Sequence, residues 1–176
     1  MPDNVTFDLS KLVKFNKNLE KRIPIWMEKA LENYGLTLEE LVVDEIDRMK
    51  LNVSREMGKS VNHIVKERMK GWLVNVGTNV KTAKGYPYAI GVHEGTIAHW
   101  PPEGPIRAWA KRKLNITNEK ELKKATYFIR KQISEKGTEE HPFMTNVFTK
   151  EKSKIRKEIG KALMRAMKGG KIVRTN

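Results

Sequence analysis

The chain has 176 residues, no cysteine, 39% apolar side chains and a formal net charge of +14. Lack of cysteine excludes a disulfide scaffold and thiolate metal sites, and no apolar run approaches the roughly 20 residues that cross a bilayer as a helix. The positive balance favours anionic partners such as nucleic acid, acidic protein surfaces or membranes, although solubility alone also accounts for it.

The opening MPDNVTFDLS lacks the basic-then-apolar layout of a secretory leader, so none is expected. Ser10 is placed to cap a helix running to about Arg22, with Leu12, Phe15, Leu19 and Ile23 on one stripe. Pro24 predicts a kink or restart, Ile25, Trp26, Ala30 and Leu31 continue the apolar side, and Gly35 predicts a stop. Thr37 and Glu40 stand in capping-box register for a second helix, from Leu38 to Met57 and ended by Gly58.

The period then changes. In SVNHIVKERMKGWLVNVGT, Val61, His63 and Val65 alternate onto one face, as do Trp72, Val74 and Val76, which predicts a hairpin turning near Lys70 and Gly71. YPYAIGVHEG is read as a third strand, with Tyr88, Ile90 and Val92 opposite Ala89, Gly91 and His93. A short helix from about Pro105 to Lys113 follows. Asn118 and Glu121 open the next helix, whose inward side reads Leu122, Ala125, Phe128, Ile129 and Ile133, and Gly137 ends it. HPFMTNVF alternates and predicts a fourth strand or edge piece, before a last helix from about Lys150 to Met167.

The fold class expected is α+β: a small antiparallel sheet of three to four strands packed with long N-terminal helices and a C-terminal helix. Residues 1–168 are read as one domain, its N-terminal part (about 10–57) helical, and 169–176 as a basic flexible tail.

Residues 86–109 concentrate histidines, acids, prolines and aromatic rings. A metal reading of His93, Glu94 and His99 fails on spacing. The zincin helix needs histidines four apart, these are six apart, and a third ligand would have to come from Glu94, Glu103 or His141. No GxSxG elbow, no serine beside these histidines and no phosphate-loop register is present. The residues therefore predict no catalysis, no metal and no cofactor. Lys66, Arg68, Lys70, Lys81 and Lys84 crowd the hairpin and its neighbouring loop, which keeps a basic nucleic-acid-binding protein as the alternative.

The order of YPYAIGVHEGTIAHWPP, IRAWAKRKL and FIRKQISEKGTEEHPFM resembles the neck and tail-completion proteins of tailed phages, the head–tail joining, minor tail protein Z-like group. The matching positions are Tyr88, Ala89, Glu94, Gly95 and Thr96, then His99, Pro101 and Pro102, then Trp109, and then Gly137, Thr138, Pro142 and Phe143, over roughly residues 55–165. The resemblance implies a non-enzymatic virion protein of a phage or prophage, assembled in the host cytoplasm into a ring homo-oligomer, hexameric in the virion. Its implied partners are further copies of itself and the neighbouring connector or tail-tube proteins, with non-specific DNA contact possible and no membrane. Lys81, Lys84, Glu94, Gly95, Thr96, His99, Trp100, Pro101 and Pro102 are the candidate interaction surface, because prolines stiffen the loop and indole rings make interface anchors.

Overall fold

The computed structural model describes residues 5–6, 17–51, 55–69, 71–81, 85 and 87–168. Ser10, Leu12 and Phe15, Val53, Lys70, Lys84 and the C-terminal tail lie outside these. The chain is mostly helical, with a small antiparallel sheet. In chain order the elements are β1 (Val5–Thr6), α1 (Lys17–Arg48), α2 (Glu56–Lys59), β2 (Val61–Arg68), β3 (Gly71–Thr78), α3 (Tyr88–Glu94), α4 (Glu103–Lys113), α5 (Glu119–Lys136) and α6 (Phe143–Met167). Contacts divide the chain into two compact units: 1–45 with 60–78 and 144–176, and 46–59 with 79–143.

In the first unit, α1 runs straight through both positions where breaks are expected. Ile23, Met27, Leu31, Tyr34, Leu38 and Val42 recur at three-to-four spacing and are all buried, so the stripe never falters across Pro24 or Gly35. Burial of that stripe outweighs a helical glycine, which costs about 1 kcal/mol, and a proline, which costs about 3 kcal/mol. Pro24 deprives only the carbonyl of solvent-exposed Glu20 of its donor, and water can replace it. Thr37 does not cap anything; its Oγ1 donates to the Asn33 carbonyl at 3.1 Å, one turn back in the same helix. The expected continuation to Met57 also fails. The chain leaves α1 after Arg48 with Lys50 at φ +56°, Lys50 N–H bonded to Asp47 O and Leu51 N–H to Ile46 O. This is a Schellman end built on lysine rather than glycine, and Gly58 lies inside the separate short α2.

The β2–β3 hairpin forms where alternation places it, with His63 opposite Val76 and Val65 opposite Val74. Trp72, Val74 and Val76 are buried, and the two-residue β1 pairs with Val74 and Leu73 along the other side of β3. Where the third and fourth strands are expected, the chain forms helix at Tyr88–Glu94 and from Phe143 onward, so the sheet is essentially the hairpin. HPFMTNVF supplies the first turns of α6, which starts right after Pro142, a residue suited to a helix entrance. Val147, Glu151, Ile155, Ile159 and Ala162 form the buried line of α6 within this unit. The two acids buried in this unit are both satisfied: Asn146 donates to Glu45 Oε1 at 2.9 Å, and Lys154 to Glu151 Oε1 at 2.7 Å. Tyr34 donates its hydroxyl to the Glu151 carbonyl oxygen at 3.1 Å, and burial, helped by the Glu151 charge, pushes its pKa up to about 12.

In the second unit, YAIGVHE forms α3 because its small and inward residues fall at helical spacing. Ala89 is buried and Val92 and His93 are half-buried, whereas Tyr88 and Ile90 are 43% and 53% exposed. Helix α4 begins at Glu103, two residues earlier than expected, and ends in the basic run Lys111–Lys113, which suits the negative end of the helix dipole. Helix α5 opens as expected: the Asn118 side chain accepts from the N–H groups of Lys120 and Glu121. Leu122 and Thr126 are its buried residues, with Ile129 and Ile133 half-buried beyond them; Phe128, expected inside, is 62% exposed. No helix among the described residues is long and apolar enough to cross a membrane.

Candidate interaction site

The site lies in the second unit and is built on two Gly-Thr dipeptides. Gly95-Thr96 follows α3, and Gly137-Thr138 follows α5. The two threonines pair as an isolated antiparallel bridge: Thr96 N–H bonds to Thr138 O at 3.2 Å and Thr138 N–H to Thr96 O at 3.0 Å. Their hydroxyl oxygens stand 3.0 Å apart in a further hydrogen bond. Gly95 (φ 71°, ψ −175°) and Gly137 (φ 75°, ψ −155°) occupy a backbone region essentially confined to glycine. A Cβ at Gly95 would run into the Thr138 carbonyl, and one at Gly137 into the Thr96 carbonyl, so each glycine also makes room for the opposite strand.

This clasp anchors the proline-rich loop against α5. His99 N–H bonds to Ile133 O at 3.3 Å, and the His99 ring uses Nδ1 on the Ile97 carbonyl at 2.9 Å. Pro101 is buried, its carbonyl accepts from Arg130 Nε at 2.9 Å, and Pro102 leads into α4 in an extended conformation. Arg130 also bonds Glu103 at 3.2 Å, and its guanidinium lies 4.8 Å from the centre of the Trp100 ring. The guanidinium thus makes a cation–π contact with the indole. The indole also meets Tyr127 edge-on at 6.3 Å, and Tyr127 meets Phe128 at 6.0 Å. Aromatic pairs prefer this geometry. The three rings are 51%, 53% and 62% exposed, and Ile97 beside them is 87% exposed. The result is a solvated aromatic ridge whose Trp100 end is held by Arg130.

Of the residues singled out in the sequence, Gly95, Thr96, His99, Trp100, Pro101 and Pro102 come together here. Glu94 is the exposed last residue of α3 and adjoins the clasp. Lys81 is exposed and bridges Pro87 ahead of α3, so it belongs to a different loop. Lys84 falls outside the described residues. Tyr127, Phe128 and Arg130 are the members the sequence reading missed. The signal for Phe128 was available: it lies six residues past Leu122, about 240° around the helix, well off the line of Leu122, Thr126, Ile129 and Ile133.

The histidines do not converge on a metal. The His93 ring packs edge-on against buried Phe143 at 5.2 Å, and among the described residues no group of three His, Cys, Asp or Glu side chains can hold an ion. A shallow cleft lined by Glu103, Arg107, Glu119, Lys120 and Lys123 has its charge partly neutralised internally by the Arg107–Glu119 ion pair. No protein-family model matches the chain, and neither a curated protein nor a solved structure matches it.

Proposed function

We propose that the chain is a non-enzymatic structural protein of a tailed-phage or prophage virion, acting in head–tail joining or tail completion. In this reading it assembles in the host cytoplasm as a ring between connector and tail tube, six-membered by resemblance. The observation that carries the binding role is the exposed ridge of Trp100, Tyr127 and Phe128, with Trp100 stacked by Arg130 on a loop that the Gly-Thr clasp ties to α5. Large aromatic side chains fixed before contact lose little freedom on docking, and such residues dominate interface energies. The sequence resemblance supplies the virion context, and its two Gly-Thr pairs are the clasp itself.

The test is genetic. Deleting the gene from the phage that encodes it should leave separate heads and tails, or tails of uncontrolled ends, in electron micrographs. Wild-type protein should restore joined particles, and Phe128→Ser should not. Infectious, normally shaped particles in which mass spectrometry finds none of this protein would sink the reading.

A second reading keeps one observation in its favour. Lys124 and Lys131 flank Tyr127 and Phe128 on the same face of α5, so a base could stack on a ring beside a phosphate contact. Affinity for a single-stranded oligonucleotide that falls steeply with salt, and falls again in Phe128→Ser, would support it over ring assembly.

A further inference from the structure

The outward side of α6, in the first unit, has no part in the readings above. Between Lys150 and Lys168 the chain carries eight basic residues against two acids. At about 100° per residue, Lys150, Lys154, Lys157, Lys161 and Lys168 fall within about 60° of one another, away from the buried Ile155, Ile159 and Ala162. All five are exposed, and the row they form is about 27 Å long. Glu45 lies 4.0 Å from Lys150 and Glu151 2.7 Å from Lys154, but both acids are buried. Glu158, paired with Lys161 at 2.6 Å, is the one exposed acid in this stretch, and Lys157 and Lys168 have no ion-pair partner among the described residues. One turn after Lys157 stands Gly160, where a Cβ would meet no atom of the described residues within 4 Å. Internal packing therefore does not require a glycine there, and its bare backbone lets a partner come close to the helix.

We propose that this lysine row binds the sugar–phosphate backbone of duplex DNA without reading its sequence. A duplex carries one negative charge per about 1.7 Å of its axis, so a straight cationic row of this length meets phosphates from end to end. Other anionic surfaces fit less well. A helix lying on a membrane turns an apolar face outward, whereas the apolar line of α6 is buried in the fold, leaving Met164 and Met167 as its exposed large apolar side chains among the described residues. A single strand is gripped by stacking on rings, and no aromatic residue occurs between Lys150 and Lys168. Lysine is depleted where proteins meet proteins, and the centres of such contacts are apolar. What remains is contact by charge alone, the sequence-independent mode of duplex binding. The row belongs to a different unit from the aromatic ridge, so the inference does not depend on the assembly reading and adds a nucleic-acid contact to it.

Fluorescence anisotropy of labelled duplexes of unrelated sequence, titrated with the full chain, tests this. Wild-type protein should bind them alike, and log K against log salt should fall with a slope between about −3 and −4.5, from three to five phosphate contacts at about −0.9 each. Lys157→Gln combined with Lys168→Gln removes two cations and leaves no acid without its partner. With unchanged circular dichroism, it should lower affinity about tenfold or more at about 50 mM salt and make the slope shallower by about 2. Lys157→Gln alone should change the slope by about half as much. As a control, Lys66→Gln combined with Lys123→Gln takes the same charge from exposed positions on β2 and α5 and should leave the slope as it is. Absence of duplex binding at that salt concentration overturns the inference, as does a control pair that weakens binding as much as the row pair. Tighter binding to a single-stranded oligonucleotide, lost in Phe128→Ser but kept in the row variant, overturns it in favour of the ridge. Binding to phosphatidylserine vesicles without binding to duplex overturns it in favour of a lipid contact.

Discussion

The two compact units use their aromatic residues in opposite directions. In the first, Trp72 and Tyr34 are buried with the α1 stripe, and the buried acids Glu45 and Glu151 each accept a hydrogen bond. In the second, Phe143 is buried, but Trp100, Tyr127 and Phe128 stand at the surface, and Trp100 is held there by a cation, a buried proline and a backbone clasp. Burial gives the first unit its stability, whereas conformational restraint gives the second its shape. The difference teaches that exposure alone does not identify a mobile side chain, because what matters is how many independent contacts fix it.

Substitutions should separate the two modes. The largest effect is expected from Leu31→Ala in α1. It is fully buried, so removal should cost about 2–5 kcal/mol by denaturant titration. Gly137→Ala should come next. The strained backbone alone costs roughly 1–3 kcal/mol, before the encounter with the Thr96 carbonyl is added. Hydrogen exchange should show the loss first at the amides of Thr96, His99 and Thr138.

His63 sharpens the comparison from the first unit. Its Nδ1 lies 2.7 Å from Glu39 Oε1 and its Nε2 2.9 Å from Glu32 Oε2, with the ring resting on Gly35. Carboxylates only accept, so both ring nitrogens must donate and the imidazole is cationic. Burial opposes that charge, but the hydrogen bonds to Glu39 and Glu32 win and raise the pKa above 6.5. A raised folded pKa means the stabilisation is complete below the unfolded value near 6.5 and disappears as pH climbs through the folded one. His63→Gln should therefore lower stability by about 1 kcal/mol at mildly acidic pH, a modest value because Glu32 is half exposed. At pH well above the folded pKa the variant and wild type should melt alike. A difference that persists unchanged across that range would refute the cationic assignment.

The smallest effect is expected at Phe128. Phe128→Ser should change stability by no more than about 0.5 kcal/mol, because the ring is mostly solvated, while association suffers. A stability loss comparable to Leu31→Ala would show that the ridge belongs to the core after all.

Local signals in the sequence were reliable where one pattern had one meaning. The hairpin alternates over two full strands, and the Asn118 cap is followed by an uninterrupted helix. They failed where a short run satisfied two periods. Tyr88, Ile90 and Val92 alternate, yet Ala89, Val92 and His93 are equally a helical face, and only burial distinguishes them. In α6 the buried Glu151 interrupts the apolar line from Val147 to Ile155, which hid the helix and left Phe143 to Phe148 looking like a strand. Breakers also misled: Pro24 and Gly35 were outvoted by a stripe that tertiary packing rewards along its whole length. The proline-rich half of the site was legible from composition. Its other half was not, because the contact of Thr96 with Thr138 spans 42 residues and leaves no trace in any local window.

That long-range pairing has an engineering consequence. Because Thr96 and Thr138 lie side by side, the segment between them leaves the scaffold and returns to it at a single point, like a cassette with adjoining ends. Closing so long an excursion costs only slightly more entropy than closing a short one, so changes of length within it carry little penalty. The chain on either side of the segment therefore keeps its course whatever the length of the surface turns inside it.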